Sequence, residues 1–227
     1  MLNYFRKKRQ TYKQRQLIEK DKGSTHPTHF PLVMSAMERE YLENAFKTHN
    51  QIVGGGGGEY LEFGSGGSTF LALLHSNMRI TSVESDKEWL AHLSEWDMIK
   101  QNLSTQRLSF FHVDIGKTGA WGVPLELNKR ESFPNYSKQI FTHRNDFSMV
   151  FVDGRFRVAC ILASIIYCKA NTRILVHDFN NRPRYHKVVE FLDFVDTCDT
   201  LAEFKLKENI DPQRLLAMYD KSRYDYE

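Results

Sequence analysis

Residues 60–69 have the sequence Tyr-Leu-Glu-Phe-Gly-Ser-Gly-Gly-Ser-Thr, and residues 80–86 have the sequence Ile-Thr-Ser-Val-Glu-Ser-Asp. The first stretch is typical of a β-strand that runs through a glycine turn into a helix. The second is typical of a strand that ends in a carboxylate, Glu84, 22 residues after Glu62. A glycine turn admits a ligand to backbone that a Cβ would block, and the helix N-terminus adds free N–H donors. Because a carboxylate at the tip of the second strand can accept two ribose hydroxyls, the pair predicts a nucleoside-containing ligand at the carboxyl edge of a parallel sheet.

The glycine spacing argues against a dinucleotide ligand. The dinucleotide fingerprint has glycines at its first, third and sixth positions, whereas here Gly64 and Gly66 are followed by Thr69. Glu62 at the end of the strand would repel a pyrophosphate but suits a ligand that carries an ammonium group. The alternative is a glycine-rich surface turn without a ligand.

The run Glu62-Phe63-Gly64-Ser65-Gly66 resembles the first motif of the class I S-adenosylmethionine-dependent methyltransferases. That motif is an acidic residue, any residue, Gly, any residue and Gly, and the resemblance extends from about Glu59 to the C-terminus. It implies S-adenosyl-L-methionine as cofactor and S-adenosyl-L-homocysteine as product. The cofactor-binding residues that it implies are Glu62, Gly64, Ser65, Gly66, Glu84, Asp114 and Ile115.

The resemblance also implies a role for each of these positions. The glycine turn would lie against the methionine part of the cofactor, and Glu62 would orient that part or bind its ammonium group. Glu84 would accept the ribose hydroxyls. Asp114 would accept a hydrogen bond from the adenine amino group, with Ile115 packed on the ring, although an Asp before Ile-Gly can also cap a turn.

Composition and charge narrow the class of protein. The chain has 227 residues, 41% of them hydrophobic, which suits one domain with a large core. Its longest apolar run, residues 158–168, is too short to span a bilayer, and no secretory signal is evident. The three cysteines include no C-x-x-C pair, which favours a reducing cytoplasm. Residues 1–23 carry a net charge of +6 and the rest of the chain −3. We therefore predict a basic N-terminal arm over residues 1–23 and a single Rossmann-like domain over residues 24–227; the arm could touch an anionic surface, but no specific nucleic acid is predicted.

Strand-like and helix-like segments alternate from residue 59 onward. The predicted parallel strands are residues 59–63, 80–84, 107–113, 148–152 and 173–176; by resemblance to the family, residues 201–207 and 214–219 would be antiparallel edge strands. Among the predicted helices, one begins at a capping box of Ser35 and Glu38 and another begins at Pro183. The alternation predicts an α/β fold, a doubly wound, mostly parallel seven-stranded sheet with helices on both faces. Residues 117–145 interrupt it as an insertion, either a substrate cap that contains Trp121 or a decorative loop.

The ends of the fourth and fifth strands carry the candidate catalytic residues, Asp153, His177 and Asp178. Methyl transfer starts from an activated sulfonium, so much of the catalysis is alignment, but an oxygen or nitrogen acceptor must still lose a proton. The ordinary pKa of histidine suits a base near neutral pH. Arg155 and Arg157 could bind an anionic acceptor such as a phosphate or sugar acid, or could pair with nearby carboxylates.

A divalent metal is an alternative that the sequence does not favour. Catechol-type O-methyltransferases hold such an ion with carboxylates at these strand ends, which here are Asp153, His177 and Asp178. Phe156 stands where that type has a lysine, and a histidine softens a magnesium site. We therefore predict no metal site.

The sequence thus predicts a methyltransferase that uses S-adenosylmethionine to O-methylate a small molecule or a sugar. Two alternatives stay open. An NAD(P)-dependent Rossmann oxidoreductase or epimerase is disfavoured by Thr69 and Glu62. A non-catalytic relative that only binds the cofactor is disfavoured by the intact Asp153 and His177.

Overall fold

A seven-stranded sheet forms the centre of the protein in a computed structural model that describes residues 13–52 and 57–227. The strand order is β3-β2-β1-β4-β5-β7-β6, in which β1 to β5 are parallel and β7 runs antiparallel to both of its neighbours. The strands are β1 (Glu59–Phe63), β2 (Arg79–Glu84), β3 (Leu108–His112), β4 (Met149–Val152), β5 (Arg173–Val176), β6 (Leu192–Cys198) and β7 (Leu201–Leu206). The predicted fold class is confirmed.

Helices cover both faces of the sheet. They are α1 (residues 13–21), α2 (Ala36–Ile52), α3 (Gly67–His75), α4 (Lys87–Leu93), α5 (Asp97–Ser104), α6 (Phe133–Lys138), α7 (Arg157–Tyr167) and α8 (Pro212–Ser222). One apolar cluster includes buried side chains of α6, α7 and α8, and a second includes those of α2, α3 and α5. Burial of these two clusters supplies the main stabilising term of the fold. In the part of the chain that the structure describes, no helix is both long and apolar enough to cross a membrane.

The capping box at the start of α2 forms as the sequence predicts. The Oγ of Ser35 accepts a hydrogen bond from the backbone N–H of Glu38 at 3.1 Å, and the Glu38 carboxylate accepts one from the backbone N–H of Ser35 at 2.8 Å. These bonds satisfy N–H groups that have no partner inside the helix. They also fix the Glu38 side chain at the carboxyl edge of the sheet.

The antiparallel edge differs from the predicted one. The helix that begins at Pro183 is a 3₁₀ segment that ends at Phe191, and residues 192–198 form β6. Residues 214–219, predicted as a strand, lie in α8, where the Asp211 carboxylate accepts hydrogen bonds from the N–H groups of Gln213 and Arg214. An Asp cap followed by Pro at the first helical position is a helix start signal, and it outweighs the apolar residues that suggested a strand.

The insertion at residues 117–145 has two different halves. Residues 118–124 form a small loop closed by an isolated bridge between Thr118 and Pro124. Residues 127–142 are helical, and Phe133 and Tyr136 are buried in the apolar cluster that contains α7. The second half is thus part of the core and reaches the cavity described below only through Tyr136, whereas the first half lies across it.

Candidate active site

A cavity of about 670 Å³ opens at the carboxyl ends of β1, β2 and β4. Its walls come from four places, the turn after β1, the start of α4, the loop after β4 and the small loop of the insertion, with an N-terminal segment across them. The lining residues are Pro31, Leu32, Val33, Met34, Gly64, Ser65, Gly66, Gly67, Ser68, Glu84, Ser85, Asp86, Trp89, Thr118, Gly119, Ala120, Trp121, Gly122, Tyr136, Asp153, Gly154 and Arg155. Its volume is typical of pockets that hold a cofactor or a small molecule.

Two glycines of the turn after β1, Gly64 and Gly66, have different surroundings. Gly64 has a φ of +97°, and a Cβ there would lie 2.6 Å from the backbone nitrogen of Gly154. Glycine is therefore needed at position 64 for backbone conformation and for the close approach of two loops. A Cβ on Gly66 would meet nothing within 4 Å, so that residue faces open space in the cavity. A ligand in the cavity can approach the backbone at Gly66.

Glu62 lies behind this turn and does not line the cavity. Its carboxylate is fully buried and accepts hydrogen bonds from the hydroxyls of Ser68 at 2.8 Å, Tyr60 at 3.3 Å and Thr69. Burial raises the pKa of Glu62 to about 7, although hydroxyl donors, Ser82 included, pull it down. The carboxylate thus holds the first turn of α3, and its orienting or ammonium-binding role toward a cofactor stays a prediction.

Glu84 lines the cavity and is fixed in place by backbone donors. Its Oε2 accepts a hydrogen bond from the N–H of Ser65 at 3.2 Å, and its Oε1 accepts from the N–H groups of Ser85 at 2.6 Å and Asp86 at 3.0 Å. The indole of Trp89 donates to the carbonyl of Ser65 at 2.8 Å and so ties α4 to the glycine turn. This preorganised carboxylate fits the ribose role that the sequence predicts for it.

Asp114 and Ile115 lie outside the cavity. The exposed Asp114 carboxylate accepts a hydrogen bond from the N–H of Gly116 at 2.9 Å and so caps a turn. Ile115 is buried in the core. Neither residue lines the cavity, so their adenine contacts stay a prediction. Ser85, Asp86 and residues 118–122 line that side. The sequence marked Trp121 of that loop, but it gave no signal for Ser85 or Asp86.

Asp153 and His177 lie side by side at the ends of β4 and β5. The Oδ1 of Asp153 lies 2.9 Å from Nδ1 of His177, and Nε2 of His177 lies 3.4 Å from Oε2 of Glu38. Burial alone would lower the pKa of His177, but the hydrogen bond to Asp153 and the charges of Asp153, Asp178 and Glu38 outweigh it and raise the pKa. His177 is buried and does not line the cavity, whereas Asp153 does. The sequence missed Glu38 because only the fold brings α2 to this edge.

Arg157 is buried beneath these residues rather than exposed to a ligand. Its guanidinium lies 3.0 Å from a carboxylate oxygen of Asp153 and 3.2 Å from one of Asp178. It also donates to the carbonyl oxygens of Gly154, Asp153 and His177 at 3.0, 3.0 and 2.6 Å. With its donors engaged in this way, Arg157 fits the alternative that the sequence left open, pairing with nearby carboxylates. It acts as the central cation of the strand-end network.

This network does not suit a metal ion. Asp153, His177 and Asp178 have potential ligand atoms within 4.8 Å of one another. However, the guanidinium of Arg157 already contacts both carboxylates, and Arg182 donates to Asp178 at 2.9 Å. The charges of Arg157, His177 and Arg182 overcome the effect of burial and lower the pKa of Asp178. A divalent cation would have to displace fixed positive charges, so the residues present do not fit one.

Arg155 and Trp121, by contrast, both line the cavity. Trp121 is 74% exposed and has a φ of +61°, a conformation that is costly for a bulky residue. The loop that carries it is close to Arg155, since a Cβ on Gly122 would lie 3.6 Å from the Arg155 Cγ. These two predicted substrate-binding residues are therefore placed where a ligand can reach them.

The N-terminal segment Pro31–Met34 also lines the cavity, although the sequence suggested only a linker before α2. A Cβ on Gly67 would lie 2.4 Å from a side-chain carbon of Leu32, so the segment packs directly on the start of α3. The capping box and the Glu38–His177 contact anchor the helix that follows it.

Comparisons with known proteins agree with this geometry. A methyltransferase-like protein from Silicibacter pomeroyi is similar, with 30% sequence identity and a TM-score of 0.71 over 86% of this chain and 98% of that chain. A methyltransferase from Podospora anserina, solved with S-adenosylhomocysteine bound, has 14% identity and a TM-score of 0.53 over 78% and 80%. A methyltransferase from Geobacter sulfurreducens has 10% identity and a TM-score of 0.50 over 77% and 82%. No family model matches the chain, and no curated protein matches it. The glycine turn, the fixed Glu84 carboxylate and the first of these similarities together establish that the chain belongs to the class I S-adenosylmethionine-dependent methyltransferase family.

Proposed function

We propose that this protein transfers the methyl group of S-adenosylmethionine to a hydroxyl oxygen of a small molecule. The observation that carries the proposal is the position of Asp153, a cavity-lining carboxylate next to the glycine turn. Its Oδ1 forms a hydrogen bond with His177 and an ion pair with Arg157. Its Oδ2 has no hydrogen-bond partner among residues 13–52 and 57–227. A carboxylate held on one oxygen is positioned to accept a hydrogen bond from an acceptor hydroxyl with the other.

Different residues of the cavity would bind different parts of the cofactor and the acceptor. Glu84 is placed to accept the ribose hydroxyls, and the turn from Gly64 to Gly66 offers exposed backbone to the methionine part. The cofactor supplies a methyl group already activated by its positive sulfur. The protein's task is to align an acceptor oxygen with that group. Asp153 orients the hydroxyl and receives its proton as the new oxygen–carbon bond forms.

His177 has a supporting role in this mechanism rather than that of the base. Its raised pKa favours the charged imidazolium, which has no vacant nitrogen for a proton. By donating from Nδ1 it holds Asp153 in one orientation. The carboxylate of Asp178 is engaged by Arg157 and Arg182 and takes no part in proton transfer.

A binding and turnover experiment tests the proposed function. S-adenosylhomocysteine is expected to bind in calorimetry and to raise the melting temperature, whereas NAD and NADP are expected to do neither. Methyl transfer to a panel of hydroxyl and amine compounds is expected on hydroxyls, to survive EDTA, and to fall far more than cofactor affinity in Asp153→Asn. Stabilisation by NAD alone, or transfer to amines only, would contradict the proposal.

We also propose that the protein acts in a reducing compartment such as the cytoplasm. The three cysteines, Cys160, Cys168 and Cys198, are free. Burial raises the pKa of Cys160 well above its usual range, which keeps that thiol protonated and unreactive. Normal folding under strongly reducing conditions is the expected result, and a requirement for an oxidant would contradict it.

A further inference from the structure

Beside the charged network at the ends of β4 and β5, one arginine has no acidic partner. In that network Asp153, Asp178 and Glu38 are paired with Arg157, Arg182 and the imidazolium of His177, while the carboxylate of Glu84, at the end of β2, is held by backbone N–H groups. Arg155 is a fourth cation, and it lines the cavity.

Nothing in the described part of the chain satisfies this fourth charge. The Nε of Arg155 is buried and has no hydrogen-bond partner among those residues. Burial and the repulsion of Arg157 lower the pKa of Arg155, and no carboxylate is among the groups that act on it. A half-buried guanidinium without a counter-ion costs free energy that a bound anion can recover. Its planar fork matches a carboxylate or a phosphate.

The surroundings of Arg155 favour an aromatic carrier for that anion. Trp121, on the neighbouring loop, presents an exposed indole at the cavity in a strained backbone conformation. On the N-terminal side the wall is apolar, from Pro31 to Met34. A flat apolar ring can stack on the indole, whereas a sugar would leave most of this surface without matching contacts.

We propose that the methyl acceptor is a hydroxylated aromatic acid, bound through its carboxylate by Arg155, through its ring by Trp121 and through its hydroxyl by Asp153. This inference rests on the proposed function and narrows its substrate class. The cofactor also has a carboxylate that Arg155 could bind, so the experiment distinguishes the carboxylate of the acceptor from that of the cofactor.

The test uses the full-length protein with and without S-adenosylhomocysteine and the hydroxybenzoate isomers as probes, with the matching hydroxybenzamides as uncharged partners. Wild-type protein is expected to bind at least one acid about tenfold or more tightly than its amide, as measured by ligand-observed NMR titration. Arg155→Gln is expected to abolish that difference, and Arg155→Lys to retain part of it. Trp121→Ala is expected to weaken acid and amide alike. The control Lys117→Gln removes an exposed cation near Trp121 that does not line the cavity, and it is expected to change nothing.

Several results would overturn the inference. They are equal binding of all acids and amides to wild-type protein, no binding of any isomer, or a preference for acids that persists in Arg155→Gln. If Arg155→Gln weakens S-adenosylhomocysteine but not methylthioadenosine, which lacks the amino-acid carboxylate, the arginine serves the cofactor instead. Failure of wild-type protein to bind S-adenosylhomocysteine would instead refute the proposed function, while the acid and amide comparison without cofactor still tests Arg155.

Discussion

Glu38 and His177, 139 residues apart in the chain, lie 3.4 Å apart between Oε2 and Nε2. The contact joins the first turn of α2 to the end of β5 and places a second carboxylate on the imidazole that holds Asp153. The helix that follows the cavity-lining segment is therefore joined to the candidate catalytic carboxylate by one charged network.

Removal of the Glu38 charge is expected to lower the pKa of His177. Glu38→Gln keeps the capping box, because glutamine also serves at that position, but it removes one of the carboxylates that raise the pKa. Because the folded pKa of His177 lies above its unfolded value, the ion pairs stabilise fully below about pH 6.5 and their contribution is lost as the pH rises through the folded value. NMR titration of the imidazole is expected to show a lower pKa in Glu38→Gln and no change in Glu40→Gln, an exposed position of the same helix. An unchanged titration in Glu38→Gln would show that Asp153 and Asp178 raise the pKa of His177 without Glu38.

The ribose role of Glu84 predicts a loss of cofactor affinity in Glu84→Gln. The substitution replaces an acceptor oxygen with a donor amide, so a ribose hydroxyl would lose its partner, at a cost of about 1–3 kcal/mol. Calorimetry with S-adenosylhomocysteine is expected to show roughly a ten- to hundredfold weaker affinity. Glu88→Gln, in the first turn of α4 and outside the cavity lining, is the control. Equal affinity in both variants would place the ribose elsewhere.

Arg155 and Arg157 are expected to respond differently to the same change. Arg157→Met leaves the carboxylates of Asp153 and Asp178 without their central cation and is expected to destabilise the fold by about 3–5 kcal/mol. Arg155→Met removes a charge without an acidic partner and is expected to cost less than about 1 kcal/mol. Urea unfolding measures both. A larger loss of stability in Arg155→Met than in Arg157→Met would mean that Arg155, and not Arg157, is the cation that stabilises the two carboxylates.

Sequence patterns predicted the parallel part of the sheet well because its strands are short segments rich in apolar residues that alternate with helical ones. The predicted strand ends 63, 84, 113, 152 and 176 are each within one residue of the observed ends, and they place Asp153 and His177 correctly at neighbouring ends. Patterns could not predict which side chains reach the cavity. Arg155 and Arg157 are two residues apart and look equivalent in sequence, yet one lines the cavity and the other is buried.

The buried carboxyl of Glu62 predicts a pH-dependent stability. Its pKa of about 7 lies above the ordinary 4.5 because of burial. The protonated form is favoured in the fold, so its stabilisation is complete below about pH 4.5 and is lost as the pH rises through about 7, at about 1.4 kcal/mol per unit of pKa shift. Glu62→Gln mimics the protonated form. The free energy of unfolding of this variant should therefore increase relative to that of the wild type as the pH rises from 5 to 8. A constant difference across this range, as expected for the control Glu40→Gln, would mean that Glu62 is ionised throughout.

The charge and composition of residues 1–23 predict that this arm is dispensable for folding. Contacts near its end predict that its removal nevertheless lowers the stability of the fold. The backbone carbonyl of Lys22 accepts a hydrogen bond from the N–H of Asp97 at 2.9 Å, and its ammonium group lies 3.2 Å from Glu95. Ile18 packs against the apolar cluster that contains α2 and α3.

Two truncations separate the parts of the arm. A chain that begins at residue 13 removes four of the eight basic residues of the arm and no acidic one, and because so charged a segment is predicted to be dispensable for folding, its melting temperature is expected to equal that of the full chain. A chain that begins at Ser24 also removes α1 and the Lys22 contacts, and it is expected to fold with a melting temperature lower by about 4 °C or more. The chain from Ser24 is expected to bind S-adenosylhomocysteine as tightly as the chain from residue 13, because residues 13–23 do not line the cavity. A chain from Ser24 that is as stable as the full chain would make residues 1–23 a true appendage. Loss of cofactor binding in that chain would make α1 part of the catalytic domain.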